Sequence, residues 1–184
     1  MAKIGVIGDI HGNSFLLSKT VEFLKTKNLS IYSTGDIPGY DGNIDECVSI
    51  LQYNDVITIK GNHDDWLEDD GRCSITSYKY IKNLPVTYEI HTDIGTALLC
   101  HGMGTNNMSK INPDDYGYAI ESNFELQELI YSHYYLIING HSHKKMARTI
   151  SGLHLVNAGA LIHQDPGFII IDLIKLEVEF YIFI

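Results

Sequence analysis

The sequence predicts an α/β fold in which two packed mixed sheets are flanked by helices, giving a four-layer α/β/β/α sandwich. Three observations support this prediction. Strand-like and helix-like segments alternate through the first third of the 184-residue chain, which is typical of a parallel sheet. Two consecutive strand-like segments in the middle of the chain have the pattern of an antiparallel hairpin. The C-terminal third is rich in short strand-like segments, which favour two packed sheets over one doubly wound sheet.

The first third contains three predicted strands and two predicted helices. Lys3–Gly8 is mainly apolar and ends at a polar loop, which is typical of a buried strand. Ser14–Lys27 carries apolar residues at helical spacing and follows that loop, which predicts a first βα unit. The other predicted elements of this third are a strand over Ser30–Thr34, a helix over Asn43–Gln52 and a strand over Asp55–Lys60.

The pattern changes after the third predicted strand. Asp64–Asn83 is polar with weak periodicity and predicts a loop and one helix. Gly102–Tyr118 is rich in Gly, Asn and Asp and predicts a surface loop. The other predicted elements are the hairpin strands Val86–Ile90 and Gly95–Cys100, a helix over Ala119–Ser132, and strands over Tyr135–Asn139, Ala147–Ile150, His154–Asn157, Gly167–Leu173 and Val178–Ile182.

Length and composition predict a single domain over residues 1–184. A chain of this size with 45% apolar residues can bury a core of its own. The formal net charge of −10, with only 13 Lys and Arg residues, argues against a broad surface for nucleic acid or for acidic membranes. We therefore expect neither a stable nucleic-acid complex nor a membrane partner.

The cysteines and the chain ends predict a cytoplasmic protein. Cys47, Cys73 and Cys100 are odd in number and form no CxxC pair, so we expect neither a disulfide framework nor a thiolate zinc site. The chain enters its first strand without a long apolar segment, and charged residues interrupt the apolar C-terminal stretch, so neither end is expected to be a membrane anchor. Val178–Ile184 is either a core strand or an exposed edge that pairs with a second copy in a homo-oligomer.

Five short segments place metal-type ligands directly after an apolar run. They are Asp9-Ile10-His11, Gly35-Asp36, Gly61-Asn62-His63-Asp64, His101-Gly102 and Gly140-His141-Ser142-His143. Since ligands of open α/β sheets bind beyond the carboxyl ends of strands, we expect these segments at one edge of the fold. Alternate side chains of an extended segment point the same way, so Asp9 and His11 should share an ion, as should His141 and His143. The mixture of ligand types predicts a hydrolytic site for two divalent ions, formed by Asp9, His11, Asp36, Asn62, His101, His141 and His143.

The order of these motifs, D-x-H, G-D, G-N-H-[DE], a lone His and G-H-x-H, resembles that of the calcineurin-like metallophosphoesterase superfamily, and in particular its small prokaryotic phosphodiesterases. The resemblance spans Asp9 to His143 and implies a double sheet between helical layers. Asn157-Ala158-Gly159-Ala160 also resembles the N-P-G-S turn of small members, with Ala158 in place of the proline. The resemblance implies a first ion bound by Asp9, His11 and His143, a second bound by Asn62, His101 and His141, and Asp36 bridging both.

The implied chemistry is hydrolysis of a phosphoester. Two ions about 3.5–4 Å apart lower the pKa of a bridging water and bind the phosphoryl oxygens during in-line attack. His63 lies beside a ligand but outside the ligand set, so it is the candidate general acid, and Asp64 would orient or charge it; each could instead have a structural role. The ligands suit Mn²⁺, which we favour, as well as Ni²⁺, Co²⁺, Fe and Zn²⁺.

The second motif indicates the substrate class. Protein phosphatases of the superfamily extend it to G-D-x-x-D-R-G, whereas this chain has Gly35-Asp36-Ile37-Pro38-Gly39-Tyr40 and lacks the phosphate-binding arginine. We therefore expect a phosphodiesterase that acts on a small substrate. A nucleotide derivative is one candidate for that substrate. A phosphomonoesterase and a diadenosine polyphosphate hydrolase remain alternatives.

Two rival functions share the fold or the chemistry. The small retromer subunit has this fold as a non-catalytic protein-binding scaffold, but it has lost the G-N-H-[DE] histidine, which this chain keeps as His63. A metal-dependent nuclease would use the same two-ion chemistry, but the acidic chain argues against it. Tyr40, Tyr116 and Tyr118 lie in loops near the expected site and either stack a base or cover the core. Of the other histidines, His163 lies nearest to a site loop, and none is assigned a role.

Overall fold

The computed structural model describes residues 2–39 and 42–183. Within them the strands are β1 (Lys3–Ile7), β2 (Ser30–Ser33), β3 (Ile57–Thr58), β4 (Thr87–Thr92), β5 (Gly95–Cys100), β6 (Tyr134–Asn139), β7 (Met146–Ile150), β8 (Leu153–Asn157), β9 (Gly167–Asp172) and β10 (Val178–Ile182). The helices are α1 (Ser14–Thr26), α2 (Ile44–Tyr53), α3 (Asn62–Trp66), α4 (Ile75–Lys82), α5 (Tyr118–Glu121) and α6 (Phe124–Ile130).

The strands form two mixed sheets. The first sheet has the order β10-β9-β1-β2-β3, in which β1, β2 and β3 are parallel and β9 and β10 are antiparallel to their neighbours. The second sheet has the order β4-β5-β6-β8-β7, in which β5, β6 and β8 are parallel while β4 and β7 pair antiparallel with β5 and β8. The structure thus contains both the predicted parallel first third and the predicted β4–β5 hairpin.

Three apolar clusters separate four layers. Between the sheets, Ile4 of β1 packs in one cluster with Leu99 of β5 and Ile138 of β6. On the outer face of the first sheet, Leu24 of α1 belongs to a cluster shared with α2 and α4. On the outer face of the second sheet, Leu126 of α6 is buried. Full burial of a side chain of this size stabilises the fold by about 1.5–3 kcal/mol. The predicted α/β/β/α sandwich is confirmed.

Helix α1 begins where the loop after β1 ends, because Asn13 caps it. The Asn13 side chain accepts a hydrogen bond of 3.1 Å from Leu16 N, a contact that typically contributes about 1 kcal/mol. The same side chain donates a 2.7 Å bond to Leu161 O. The loop that carries Asp9 and His11 is therefore attached both to its own helix and to the segment that leads into β9.

The structure departs from the predicted elements in two places. The predicted helix over Ala119–Ser132 is interrupted, because the Asn123 side chain accepts a bond of 2.9 Å from Leu126 N and starts α6 as a separate helix. The region predicted as a loop and one helix contains α4 and, at its start, the short helix α3. Strand β10 is an edge strand of the first sheet, and Tyr40 lies outside the described residues.

Candidate metal centre

The ligand-bearing loops meet where the carboxyl ends of β1, β2, β3, β5 and β6 come together. Asp9, His11, Asp36 and His143 each offer one ligand atom, and these atoms lie within 4.8 Å of one another. His143 Nε2 is 3.0 Å from Asp9 Oδ2 and 3.0 Å from His11 Nε2. His11 Nε2 is 3.8 Å from Asp36 Oδ2. These four side chains form a first group that can hold an ion.

A second group lies on the other side of the Asp36 carboxylate. His101 Nε2 is 3.5 Å from Asp36 Oδ2 and 2.8 Å from Asn62 Oδ1. The His141 ring lies next to that of His101, with centroids 5.2 Å apart. Asp36 therefore contacts a histidine of each group through the same oxygen atom, which is the arrangement that a bridging ligand requires.

Backbone carbonyl groups determine the tautomer of three of the four ligand histidines. A carbonyl oxygen can only accept, so the ring nitrogen facing it carries the proton. His11 Nδ1 donates to Pro38 O over 3.1 Å, and His101 Nδ1 donates to Thr34 O over 2.8 Å. In the neutral rings the lone pair is then on Nε2, directed to Asp36 and its neighbours. A protein carbonyl bound to the far nitrogen is the usual arrangement of metal-binding histidines.

His141 follows the same rule with its nitrogens exchanged. Its Nε2 donates to Met108 O over 3.2 Å, so Nδ1 carries the lone pair. Met108 belongs to the Gly102–Tyr118 segment predicted as a loop, which thereby reaches the second group. The His141 backbone also donates a 3.1 Å bond to Asp9 Oδ1, so the two groups share structural support.

The electrostatics of these residues fit bound divalent cations. Burial raises the pKa of Asp36 to about 9, and the charges of Asp9 and Asp64 add to this effect. Burial lowers the pKa of His11 and that of His141 to about 4, so both rings are neutral at pH 7. Asp9 Oδ2 is buried and accepts no well-formed hydrogen bond from any described residue. Cations would compensate these buried carboxylates and occupy the free lone pairs, and carboxylate, imidazole and amide donors suit borderline divalent metals.

The backbone at the centre is left-handed at several ligands. Among described non-glycine residues with positive φ are His11 at 47°, Asp36 at 51°, His141 at 64° and His143 at 59°. Side chains disfavour this region, and such conformations concentrate at functional sites. The prediction that His141 and His143 share an ion assumed an extended backbone, and the observed φ angles are not extended. His141 and His143 accordingly point to different groups, although Asp9 and His11 do share one.

Two glycines allow the loops to approach closely. A Cβ at Gly61 would overlap Asp36 Oδ1, and a Cβ at Gly140 would overlap Asp9 Oδ1. Both positions directly precede a ligand, Asn62 and His141 respectively. The glycines of the G-N-H and G-H-x-H motifs are thus needed because each leaves room for a carboxylate from another loop.

Comparison with known proteins identifies the family of this chain. A family model described as a calcineurin-like phosphoesterase superfamily domain matches residues 2–175. The chain belongs to the calcineurin-like phosphoesterase superfamily. The uncharacterized protein MJ0912 of Methanocaldococcus jannaschii is 24% identical over 187 residues, covering 91% of this chain and 73% of that protein.

Three solved structures show the same superfamily fold. PH1004 of Pyrococcus horikoshii, a hypothetical protein, is 17% identical with a TM-score of 0.78, covering 99% of this chain and 88% of its own. A structure described as a novel archaeal phosphodiesterase is 18% identical with a TM-score of 0.66, covering 98% and 99%. Vps29 of Entamoeba histolytica in complex with zinc is 19% identical with a TM-score of 0.55, covering 97% of each chain. Identities this low establish the fold and leave the substrate open.

Within this phosphoesterase domain, Asp64 organises the loop that carries Asp36. Asp64 Oδ2 accepts bonds of 2.8 Å from Asp36 N and 2.7 Å from Gly61 N, and Oδ1 accepts one of 3.1 Å from Ile37 N. Burial raises the pKa of Asp64 to about 7, and these three backbone bonds act in the opposite direction. The sequence suggested that Asp64 orients His63, and these contacts instead support a structural role in the loops of Asp36 and Asn62.

His63 lies in the first turn of α3, next to the first group. Its backbone N–H donates a 2.8 Å bond to Asp36 Oδ1, and its ring lies edge-on to that of His11, with centroids 4.8 Å apart. The ring also packs at 5.2 Å from Trp66. Burial lowers the pKa of His63, and the nearby His101 acts in the same direction. The half-buried ring is thus close to the ligands, as a proton donor to a bound substrate must be.

Several supporting residues could not be identified from the sequence. Asn157 donates to Gly140 O and, over 3.2 Å, to Ser142 Oγ, so it holds the loop that carries His141 and His143. The resemblance of Asn157–Ala160 to a superfamily turn was the only sign of this role. His163 Nε2 lies 3.0 Å from His143 Nδ1, with the rings stacked. Tyr116 and Tyr118 are 72% and 82% exposed, so neither covers the core.

The role of Asp64 predicts the effect of Asp64→Asn on stability. An amide has only one acceptor oxygen, so at least one of the three buried N–H groups would lose its partner. We expect the free energy of unfolding of chelator-treated protein to fall by about 1–3 kcal/mol, measured by urea denaturation. The matched control is Asp65→Asn, since the neighbouring Asp65 side chain is 48% exposed and should cost under about 0.5 kcal/mol. Equal effects of the two variants would contradict the structural role of Asp64.

The raised pKa of Asp36 predicts a pH dependence for the metal-free protein. The folded state keeps the Asp36 proton up to about pH 9, whereas the unfolded chain loses it near its ordinary value of 3.8. The folded state therefore binds more protons than the unfolded state, and stability should fall as pH rises from 7 to 9, by at most about 1.4 kcal/mol per pH unit. Urea denaturation in a chelator at both pH values tests this, with Asp36→Asn, which cannot titrate, expected to show a shallower fall. A wild-type slope no steeper than that of Asp36→Asn would contradict it.

Proposed function

We propose that this protein is a hydrolase that uses two divalent metal ions to cleave phosphodiester bonds in small substrates. The observation that carries the proposal is the position of Asp36 between two groups of histidines, in which the far nitrogens of His11, His101 and His141 are bound to backbone carbonyls. Hydrogen bonds of this kind leave the near nitrogens free to bind metal, and a shared carboxylate between two such groups suits a pair of ions. The proposal treats residues 1–184 as one domain, of which the family model covers residues 2–175.

The observed contacts support a division of the ligands between two ions. Asp9, His11 and His143 would hold the first ion, and Asn62, His101 and His141 the second, with Asp36 shared. When bound, the ions would supply Lewis-acid activation of water and of the phosphoryl group. Nitrogen and oxygen donors of this kind accept Mn²⁺, our first choice, as well as Ni²⁺, Co²⁺, Fe and Zn²⁺.

His63 is the proposed general acid. Water adds across one P–O bond of the diester, giving a phosphomonoester and an alcohol. The departing oxygen needs a proton, and a protonated His63 ring can donate it from its place beside His11. The Asp36 side chain accepts a hydrogen bond from the backbone N–H of His63. Asp36, the proposed shared ligand, therefore also helps to position His63, the proposed general acid.

A small diester suits the surroundings of the centre. The second motif has Ile37, Pro38 and Gly39 after Asp36, with no arginine to grip a phosphoprotein. The net charge of −10 disfavours long nucleic acids. No helix formed by residues 2–39 and 42–183 has the length and apolar character needed to cross a membrane. A phosphomonoester or a diadenosine polyphosphate is the alternative substrate.

The likeness to Vps29 favours one alternative, a protein-binding scaffold with the same fold. Zinc binding does not separate the two functions, because a Vps29 structure also contains Zn²⁺. Catalytic turnover does separate them, since a scaffold has no need for a proton donor at His63.

The proposed function predicts metal-dependent hydrolysis of bis-p-nitrophenyl phosphate. Protein stripped by a chelator should be inactive, and refilling with Mn²⁺ should restore release of p-nitrophenolate, more strongly than with Mg²⁺. p-Nitrophenyl phosphate, the monoester, should be the poorer substrate. A preference for the monoester would indicate a phosphatase, and full occupancy by any of these metals without turnover would indicate the scaffold.

The role of His63 predicts a dependence on the leaving group. Without a proton donor, a poor leaving group suffers most, so His63→Gln should lower kcat for diphenyl phosphate by about 10²–10⁴-fold. The loss for bis-p-nitrophenyl phosphate should be smaller, because p-nitrophenolate departs readily without a proton. Metal content, measured by elemental analysis, should stay unchanged. His91→Gln is the control, since His91 lies on β4 and is exposed, and an equal loss for both esters would exclude His63 as the acid.

A further inference from the structure

A cavity of about 890 Å³ adjoins the candidate metal centre. Its wall contains His143, a candidate ligand of the first group, and His163, which contacts His143. The wall also contains Phe180 and Ile182 of the edge strand β10. The volume lies within the range of small-molecule sites, so the cavity can take a substituent much larger than a phosphate.

The apolar part of the cavity wall lies on the edge strand β10 of the first sheet. Phe180 pairs with Ile169 across the β10–β9 ladder, and Ile169 belongs to the core between the sheets. Phe180 therefore lies on the inner face of the first sheet, since paired residues share a face. It is nevertheless 42% exposed, and Ile182 on the same face is 53% exposed. Two large apolar side chains thus face the cavity where the inner face of the first sheet is left open.

The charged residues that line the same cavity are two lysines and Asp165, in an otherwise acidic chain. The stem of Lys145 lies against Gly159, where a Cβ would come within 2.7 Å of Lys145 Cγ, and its ammonium group donates to Asp165 O. Lys144 Nζ is 3.9 Å from Asp114 Oδ1 at the surface, an exposed pair that binds only weakly and leaves the ammonium group available. An apolar wall beside cations and a phosphate-binding centre suits an anionic ester with a flat apolar substituent.

We propose that this cavity binds the retained substituent of the phosphodiester, and that this substituent is a planar aromatic group of the nucleobase type that lies against Phe180. The inference rests on the proposed function and specifies its substrate. His63 does not line the cavity, whereas the leaving oxygen must reach His63 to be protonated. The cavity therefore receives the group that stays on the phosphate, while the leaving group points elsewhere.

Two esters with the same leaving group test the proposal. Thymidine 5′-p-nitrophenyl phosphate and methyl p-nitrophenyl phosphate both release p-nitrophenolate, but only the first retains an aromatic group. With Mn²⁺-loaded protein, the ratio of kcat/KM for the thymidine ester to that for the methyl ester should exceed one. Phe180→Ala should lower this ratio by roughly 5- to 150-fold, the effect of losing one base-stacking contact. Most of the change should appear in KM for the thymidine ester.

The control is Tyr53→Ala, which removes an aromatic side chain that is 88% exposed at the far end of α2 and should leave the ratio unchanged. Circular dichroism and metal content of Phe180→Ala should match those of wild type, so that a folding defect is recognised. An unchanged ratio in Phe180→Ala, with both esters hydrolysed, would overturn the inference and leave the proposed function intact. Hydrolysis of neither ester by wild type would overturn the proposed function itself. A wild-type dimer that Phe180→Ala converts to a monomer would show that a second copy occupies the cavity instead.

Discussion

The constraint on which the rest of the centre depends is the burial of two carboxylates, Asp9 and Asp36, where the ends of the two sheets meet. An isolated buried charge costs several kcal/mol, and the raised pKa of Asp36 expresses this cost. The protein can hold Asp36 as an acid with its proton, or as an anion beside a cation. His11 and His141, whose pKa values burial lowers to about 4, supply lone pairs at pH 7, so the surroundings of Asp36 favour cations. Ion binding and loss of the Asp36 proton are then two sides of one equilibrium.

The loops around the carboxylates are built to keep them in place. The loops that carry His11, Asp36, and His141 with His143 take left-handed turns, and side-chain hydrogen bonds hold them there. Asp64 binds the loop of Asp36, Asn157 binds the loop of His141, and Asn13 anchors the loop of Asp9. None of these three side chains belongs to the ligand set. Polar contacts by residues that do not bind the candidate ions thus offset the strain of these loops. The parallel strands of the two sheets bring the loops to one edge of the fold.

The sequence predicts the sandwich and the ligand set because both depend on side chains. Apolar runs mark the strands, and the order of Asp, Asn and His after them marks the ligands. What could not be predicted depends on backbone and on distant contacts. The carbonyl groups of Thr34 and Pro38 carry no sequence signal, yet they decide which nitrogens of His101 and His11 can bind metal. Likewise, the spacing of His141 and His143 suggested a shared ion, but left-handed backbone sends them to different groups. The partners of Asp64 and the contact of His163 with His143 arise only when segments far apart in the chain meet.

We propose that one carboxylate, that of Asp36, is shared by two metal ions. Crystals grown with Mn²⁺ and measured at the manganese absorption edge test it most directly, because anomalous scattering locates the ions without reference to activity. The account predicts two peaks about 3.5–4 Å apart, both in contact with Asp36. One peak should lie near Asp9, His11 and His143, and the other near Asn62, His101 and His141. A single peak at full occupancy, or two peaks of which only one contacts Asp36, would contradict it.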